Sequence, residues 1–238
     1  MQVFLGLVQG LTEFLPVSSS GHIVLLGELL KIRTDVDLVV FLHLGTLVAV
    51  TAFALKGIKI AFSSFRFFLA VIISTLPAVF FGLLFEDFID KTFSSIEYLP
   101  IFFCVTSVLL ITSDMKDGKK DLRMMSFSDA LIIGLFQASA IFPGISRSGA
   151  TLAGAILLGY DPESSLVYSF LLAIPVIGGA TLLKWNGSSS HSPLVFTVTF
   201  AAGLLALMIL KKLTINRKLR FFSVYCLIMA SVAHFVQN

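Results

Sequence analysis

The sequence predicts an all-α polytopic membrane protein: six transmembrane helices plus two re-entrant helical hairpins in an inverted-topology repeat. Three observations lead there. Of 238 residues, 57% are hydrophobic and 13% charged, against roughly 45–50% and about 25% in soluble domains. Apolar runs recur from end to end with no polar block of domain size between them, so a single integral-membrane domain, 1–238, accounts for the length. Two stretches also interrupt the apolar pattern in the same way, one in each half.

The first interruption lies within 1–31, where two short apolar arms flank "GLTEFLPVSSSGH" from Gly10 to His22. Neither arm comfortably reaches the about 17–25 residues of a spanning helix. Irregular backbone at membrane depth persists only where protein or a wet cavity satisfies its polar groups, so 1–31 reads as a re-entrant hairpin. Spans follow at about 37–56, 67–86 and 98–114. Residues 126–160 form the second hairpin, and spans at about 163–184, 194–212 and 219–236 complete the chain. The rival reading is eight to ten ordinary spans.

Sliding the sequence by 128 positions without a gap sets "GLVQGLTEFLPVSSSG" over "GLFQASAIFPGISRSG". It pairs Gly6 with Gly134, Leu7 with Leu135, Gln9 with Gln137, Phe14 with Phe142, Ser18 with Ser146, Ser20 with Ser148 and Gly21 with Gly149. The halves are thus about 1–114 and 126–238. Three spans lie between the copies, and an odd number of crossings inverts the second copy relative to the first, an arrangement familiar from transporters.

Lys and Arg fix the orientation. Lys56, Lys59, Arg66, Lys116, Lys119, Lys120, Arg123, Lys211, Lys212, Arg217, Lys218 and Arg220 share one side, while Lys31, Arg33, Lys91 and Lys184 fall on the other. The richer side is cytoplasmic, so both termini and the first hairpin face outward and the second hairpin enters from the cytoplasm. The net charge of +3 reflects this asymmetry and does not suggest nucleic-acid binding. "MQVFLGLVQG" lacks the basic start and cleavage site of a signal peptide, so no cleaved leader is expected. Cys104 and Cys226 read as small core residues, Trp185 as an interfacial anchor, and Asp161 and Glu163 as helix caps. Glu86, Asp87, Asp90 and Glu97 read as acids of an outward loop. The 24 phenylalanines are as consistent with lipid-facing packing as with a homodimer interface.

The hairpin tips, "PVSSSGH" and "PGISRSGAT", each place serines before a short helix, whose first-turn N–H groups are unpaired donors with partial positive charge. Two such helix starts at one cavity make an anion site. Among 17 basic residues Arg147 alone lies away from loops and span ends, so it demands a partner. An Arg fork suits phosphate or carboxylate, and Ser18, Ser20, Ser146, Ser148 and Thr151 surround it with hydroxyls. The plainer reading is an ion pair with Glu13 bridging the hairpins. Glu13 is otherwise a general base or metal ligand, with Gln9 four residues earlier on the same helical face. His22, three residues after Ser19, is expected within reach of it, to activate Ser19, protonate a leaving group or take a phosphoryl group itself. His43 reads equally as a cavity-lining or a packing residue.

Together, "QGLTEFLPVSSSGH" and "PGISRSGAT" resemble the two signatures of the bacterial undecaprenyl-diphosphatase family of the bacitracin-resistance type, an acid-or-Gln-x-x-x-Glu segment running into Ser-rich sequence with Gly-His, and Pro-Gly-x-Ser-Arg-Ser-x-x-Thr. The resemblance implies removal of the terminal phosphate from undecaprenyl pyrophosphate, recycling the lipid carrier for peptidoglycan synthesis, in the bacterial inner membrane with the active site facing outward. By motif position it implies catalytic roles for Glu13, Ser19, His22 and Arg147, with Ser146 and Thr151 at the phosphate. It also implies dependence on a divalent cation, Mg2+ or Ca2+. Gln9 stands where many relatives have Glu, so a metal held largely through the pyrophosphate is expected, with Glu13 the one candidate protein ligand. The runner-up is a transporter or flippase of polyprenyl phosphate lipids, which would need the anion site but not Glu13 and His22. "SSSGH" also resembles part of the pattern of lipid phosphatases related to acid phosphatases, but the matching downstream Ser-Arg, His and Asp segment is missing.

Overall fold

The structure, a computed structural model, describes residues 1–31, 36–85, 96–185 and 191–237. Arg33, Glu86, Asp87, Asp90 and Lys91 lie outside the described residues. Within them are eleven α-helices and no β-strand: α1 (Gln2–Phe14), α2 (Ser19–Leu30), α3 (Val36–Phe53), α4 (Leu55–Ser63), α5 (Phe65–Leu84), α6 (Leu99–Asp114), α7 (Phe127–Ser139), α8 (Arg147–Leu157), α9 (Pro162–Lys184), α10 (Pro193–Ile215) and α11 (Arg220–Gln237). Five of these, α3, α5, α9, α10 and α11, are long and apolar enough to cross a membrane, so the chain is a polytopic membrane protein. At 16 residues, α6 is shorter than these five.

Local sequence sets most of the boundaries. Asp161 accepts the amides of Glu163 and Ser164 ahead of Pro162, and Ser192 accepts that of Leu194 ahead of Pro193; a polar cap followed by proline is a natural helix start. One boundary differs from expectation. The predicted span 37–56 ends at Phe53, and after Ala54 a separate short helix, α4, begins. Gly57 and Ala61 are buried on α4 while Lys56 and Lys59 are exposed. A Cβ on Gly57 would sit 2.9 Å from Val167, so α4 is held against α9 by a close approach that local hydropathy does not encode.

The two halves exchange their first helices. α1 lies along α10, and its counterpart in the repeat, α7, lies along α5, the counterpart of α10. α3 packs on its own counterpart α9, and α6 on α11. Missing side chains make the exchanged pairs intimate: a Cβ on Gly6 would fall 2.6 Å from Thr199 Oγ1, on Gly10 2.5 Å from Thr199 O, and on Gly134 2.7 Å from Ser74 O. Small residues bring helix backbones together in lipid, where water provides no drive for association. Around Gly134, Ser74 Oγ lies 2.6 Å from Ala130 O and 2.7 Å from the Tyr168 hydroxyl, and Gln137 donates to Ser74 O at 3.1 Å.

At the basic end, Asp114 of α6 accepts the Leu219 amide at 3.0 Å and Arg220 Nε at 2.9 Å, and Arg217 pairs with Asp117. These contacts fix the register of α11 on α6. The Gly134–Ser74 approach yields a stability test. Gly134→Ala is expected to lower unfolding stability in detergent by about 1–3 kcal/mol, because the new methyl meets backbone that cannot yield. Gly82→Ala, whose Cβ would meet nothing within 4 Å, should be neutral or slightly stabilising in the same denaturation assay.

Candidate active site

Each hairpin breaks for a definite reason. Pro16 cannot continue the α1 hydrogen-bond ladder, and the chain turns through Ser18 at φ 66 before entering α2. In the second hairpin Pro143 is followed by Gly144 at φ 101, a conformation that glycine adopts without steric penalty. Ser18 then caps α2 by accepting the Gly21 amide at 3.3 Å, and Ser146 caps α8 by accepting the Gly149 amide at 3.1 Å. Ser19 and Arg147 are therefore the first residues of their helices and stand at equivalent positions of the 128-residue repeat.

The tips satisfy one another. Ser18 Oγ also accepts the Gly144 amide at 3.0 Å, and Ser148 Oγ donates to Leu15 O at 3.2 Å. A Cβ on Gly21 would lie 3.0 Å from Gly144 N, and one on Gly149 would lie 3.2 Å from Pro16 Cβ, so the crossing is reciprocal. Thr106 of α6 locks the second tip by donating to Gly144 O at 2.8 Å and accepting the Ser146 amide at 3.0 Å. Ser20 and Ser146 complete the hydroxyl cluster, 3.3 Å from Ser18 Oγ and 3.1 Å from Ser148 Oγ respectively.

This crossing brings the charged groups together. Glu13, its side chain only 8% exposed, accepts Arg147 Nη2 on Oε1 at 2.9 Å, and on Oε2 it accepts Ser19 Oγ at 2.6 Å and Gln9 Nε2 at 3.0 Å. The ion pair thus links the hairpins, and Gln9 shares a helical face with Glu13. His43 Nε2 approaches Oε2 to 3.8 Å while Nδ1 bonds Val39 O. Among the described residues, two buried atoms have no hydrogen-bond partner here, Arg147 Nη1 and Gln9 Oε1. Buried polar atoms are nearly always paired, so one spare donor and one spare acceptor beside a carboxylate mark a place for a polar ligand.

Two placements correct the sequence reading. The Thr151 hydroxyl is already engaged: fully buried, it bonds Arg147 O at 2.9 Å and meets Ser169 Oγ of α9 at 2.7 Å. One turn deeper in α8, a hydroxyl is best satisfied by the carbonyl four residues back. His22 does not bond Ser19. Its Nδ1 lies 2.7 Å from Ser18 O and its Nε2 2.6 Å from the Tyr225 hydroxyl, because a helical side chain leans back over the preceding turn. Tyr225 and Thr106 escaped the sequence reading altogether. Neither sits in a motif, and only the packing of α6 and α11 delivers them.

Chemically, a carboxylate that accepts a serine hydroxyl at 2.6 Å is arranged as a base on a nucleophile. A guanidinium with one nitrogen on that carboxylate and the other unpaired can grip a phosphate oxygen without losing its partner.

The family model described as bacitracin resistance protein BacA matches residues 2–232. The undecaprenyl-diphosphatase of Thermosipho africanus (strain TCF52B) is 48% identical over 98% of this chain and 98% of its own. That of Thermotoga maritima is 46% identical over 98% and 99%, and that of Methanococcus vannielii 42% identical over 94% of each. With a family model spanning nearly the whole chain and relatives this similar end to end, the chain belongs to the bacitracin resistance protein BacA family.

Proposed function

We propose that this protein is an undecaprenyl-diphosphatase, converting undecaprenyl pyrophosphate to undecaprenyl phosphate and inorganic phosphate and so recycling the lipid carrier of envelope polymers. Family membership and the activity named for its relatives support this. The observation that carries the chemistry is the Glu13 carboxylate, shared between Ser19 of one hairpin and Arg147 of the other. A transporter needs the anion site alone. A reaction has a further use for a hydroxyl on a base, and the relatives named above are diphosphatases.

In the proposed mechanism, Arg147 Nη1 and the unpaired first-turn amides of α2 and α8 hold the non-bridging oxygens of the terminal phosphate. Ser19 Oγ attacks that phosphorus as Glu13 takes its proton. The bond to the bridging oxygen breaks, and undecaprenyl phosphate leaves with the electron pair. Glu13 gives that proton to the departing oxygen of undecaprenyl phosphate and, ionised again, deprotonates a water; the water displaces Ser19 from phosphorus, the serine oxygen takes the proton back from Glu13, and inorganic phosphate is released. Ser18, Ser20, Ser146 and Ser148 keep the tips in register around these atoms.

A divalent cation, Mg2+ or Ca2+, fits this donor set in part. Gln9 Oε1 is a buried oxygen without a partner beside Glu13, whereas no cluster of three His, Cys, Asp or Glu side chains occurs among the described residues. Hard cations take about six to eight oxygens, so Gln9 and Glu13 would hold the ion together with phosphate oxygens and water. When bound, it would neutralise charge on the pyrophosphate.

The membrane reading completes the proposal. α1–α2 and α7–α8 are re-entrant hairpins of an inverted repeat, α6 is the sixth span, and the site opens outward in the bacterial inner membrane. The lipid tail enters laterally from the bilayer, where each buried methylene contributes about 0.8 kcal/mol.

Inorganic phosphate release from undecaprenyl pyrophosphate by the purified protein is the direct test. Glu13→Gln should lower kcat by about 10²–10⁴-fold, the usual contribution of a general base. Ser19→Ala should abolish turnover yet still bind the lipid, and retention of near-normal release would show that Ser19 is not the nucleophile. A chelator should suppress release and excess Mg2+ or Ca2+ restore it; chelator-resistant release would remove the cation from the mechanism.

A further inference from the structure

One chain of contacts runs from the site toward α11. The Tyr225 hydroxyl lies 2.6 Å from His22 Nε2, and the two rings stack with centroids 5.6 Å apart and planes 5° from parallel. Phe103 of α6 also meets the imidazole, edge-on at 5.8 Å. His22 Nδ1 is 2.7 Å from the Ser18 carbonyl. The next residue of α11, Cys226, directs its thiol to Pro16 O at 3.6 Å. Ser223 and Ser107 then join α11 to α6 at 2.7 Å, and the neighbouring Thr106 holds the second tip.

The donor roles follow from chemistry. A carbonyl oxygen only accepts, so Nδ1 carries the ring proton, and in a neutral imidazole Nε2 must then accept, with Tyr225 as donor. Both nitrogens are in use, and the ring is 6% exposed. Neither is left for Ser19. Ser18 is the residue that profits. Its φ of 66 is uncommon for a residue with a side chain and persists only where the surroundings over-determine it. His22 fixes its carbonyl, while the Gly21 and Gly144 amides fix its hydroxyl.

We propose that Tyr225 is a positioning residue: by donating to His22 Nε2 it holds the imidazole in place, and the Nδ1–H bond to Ser18 O holds the turn that aims Ser19 at Glu13. Without the phenol hydroxyl Nε2 loses its donor and the ring is anchored at Nδ1 alone. The imidazole can then rock about its remaining bond to Ser18 O, and the turn loosens. His22 accordingly serves through its Nδ1–H and is itself a positioning residue. The effect on turnover rests on the phosphatase reading; the anchoring of the ring does not.

The test uses the full chain in detergent, phosphate release from undecaprenyl pyrophosphate, and ¹⁵N NMR of the histidine-labelled protein, with the His22 signals assigned by their loss in His22→Asn. Tyr225→Phe should lower kcat about tenfold, the effect of one hydrogen bond, and leave KM nearly unchanged. The same substitution should move the His22 Nε2 resonance to that of an imidazole nitrogen with no hydrogen-bond donor, while Nδ1 stays protonated. His22→Asn, whose amide places a donor where Nδ1 stood, should retain more activity than His22→Gln or His22→Ala. Wild-type kcat in Tyr225→Phe, or an unchanged Nε2 resonance there, would overturn the proposal. So would a His22→Asn variant as inactive as His22→Ala, since the chemistry would then lie on Nε2. If the wild type itself releases no phosphate, the phosphatase reading fails, while the Nε2 resonance still decides what Tyr225 does to His22.

Discussion

A helix broken inside a protein that lives in lipid exposes backbone groups that hydrocarbon cannot satisfy, and here each of two breaks is satisfied by the other. The Gly144 amide goes to Ser18, the Leu15 carbonyl takes the Ser148 hydroxyl, and Gly21 and Gly149 are bare enough for the tips to touch. Everything chemical follows from that crossing. Glu13 closes one hairpin's first helix and Arg147 opens the other's second, so tips that must meet for their own hydrogen bonds also bring acid and base together.

The ion pair at the crossing is better understood as a device for placement than for stability. Burying two charges costs several kcal/mol per ion in the general case, and their attraction offsets this only with further hydrogen bonds. Glu13 has those bonds, three in all counting Arg147, whereas Arg147 keeps one nitrogen unpaired. The asymmetry suits a site that must admit an anion. The carboxylate stays in place as the phosphate arrives, and the guanidinium has a hand left for it.

Much of this was written locally in the sequence. Caps, prolines and glycines announced the hairpins, the 128-residue repeat announced their kinship, and the four-residue spacing of Gln9 and Glu13 announced a shared face. What depended on side-chain direction or distant packing was not. His22 is close in sequence to Ser19 but leans back to Ser18, and Thr151 shares a motif with Arg147 yet turns to α9. Tyr225 comes about as far along the chain as any residue, and no local pattern ties it to His22. The break at Ala54 was hidden for a related reason: the apolar run continues past it to Leu55, and contact of α4 with α9 makes it visible.

The exchange of α1 and α7 between halves has a consequence for how the molecule comes into being. Chains leave the ribosome from the N-terminus, so α1 leaves well before α10. The surface it is shaped for, with Thr199 and Ala202 fitted against Gly10, belongs to α10 and is among the last to be made. α1 must therefore wait with its glycine face unmatched until α10 has been made. The first half of the gene does not encode a smaller version of the protein, and its nascent product is a part awaiting its counterpart.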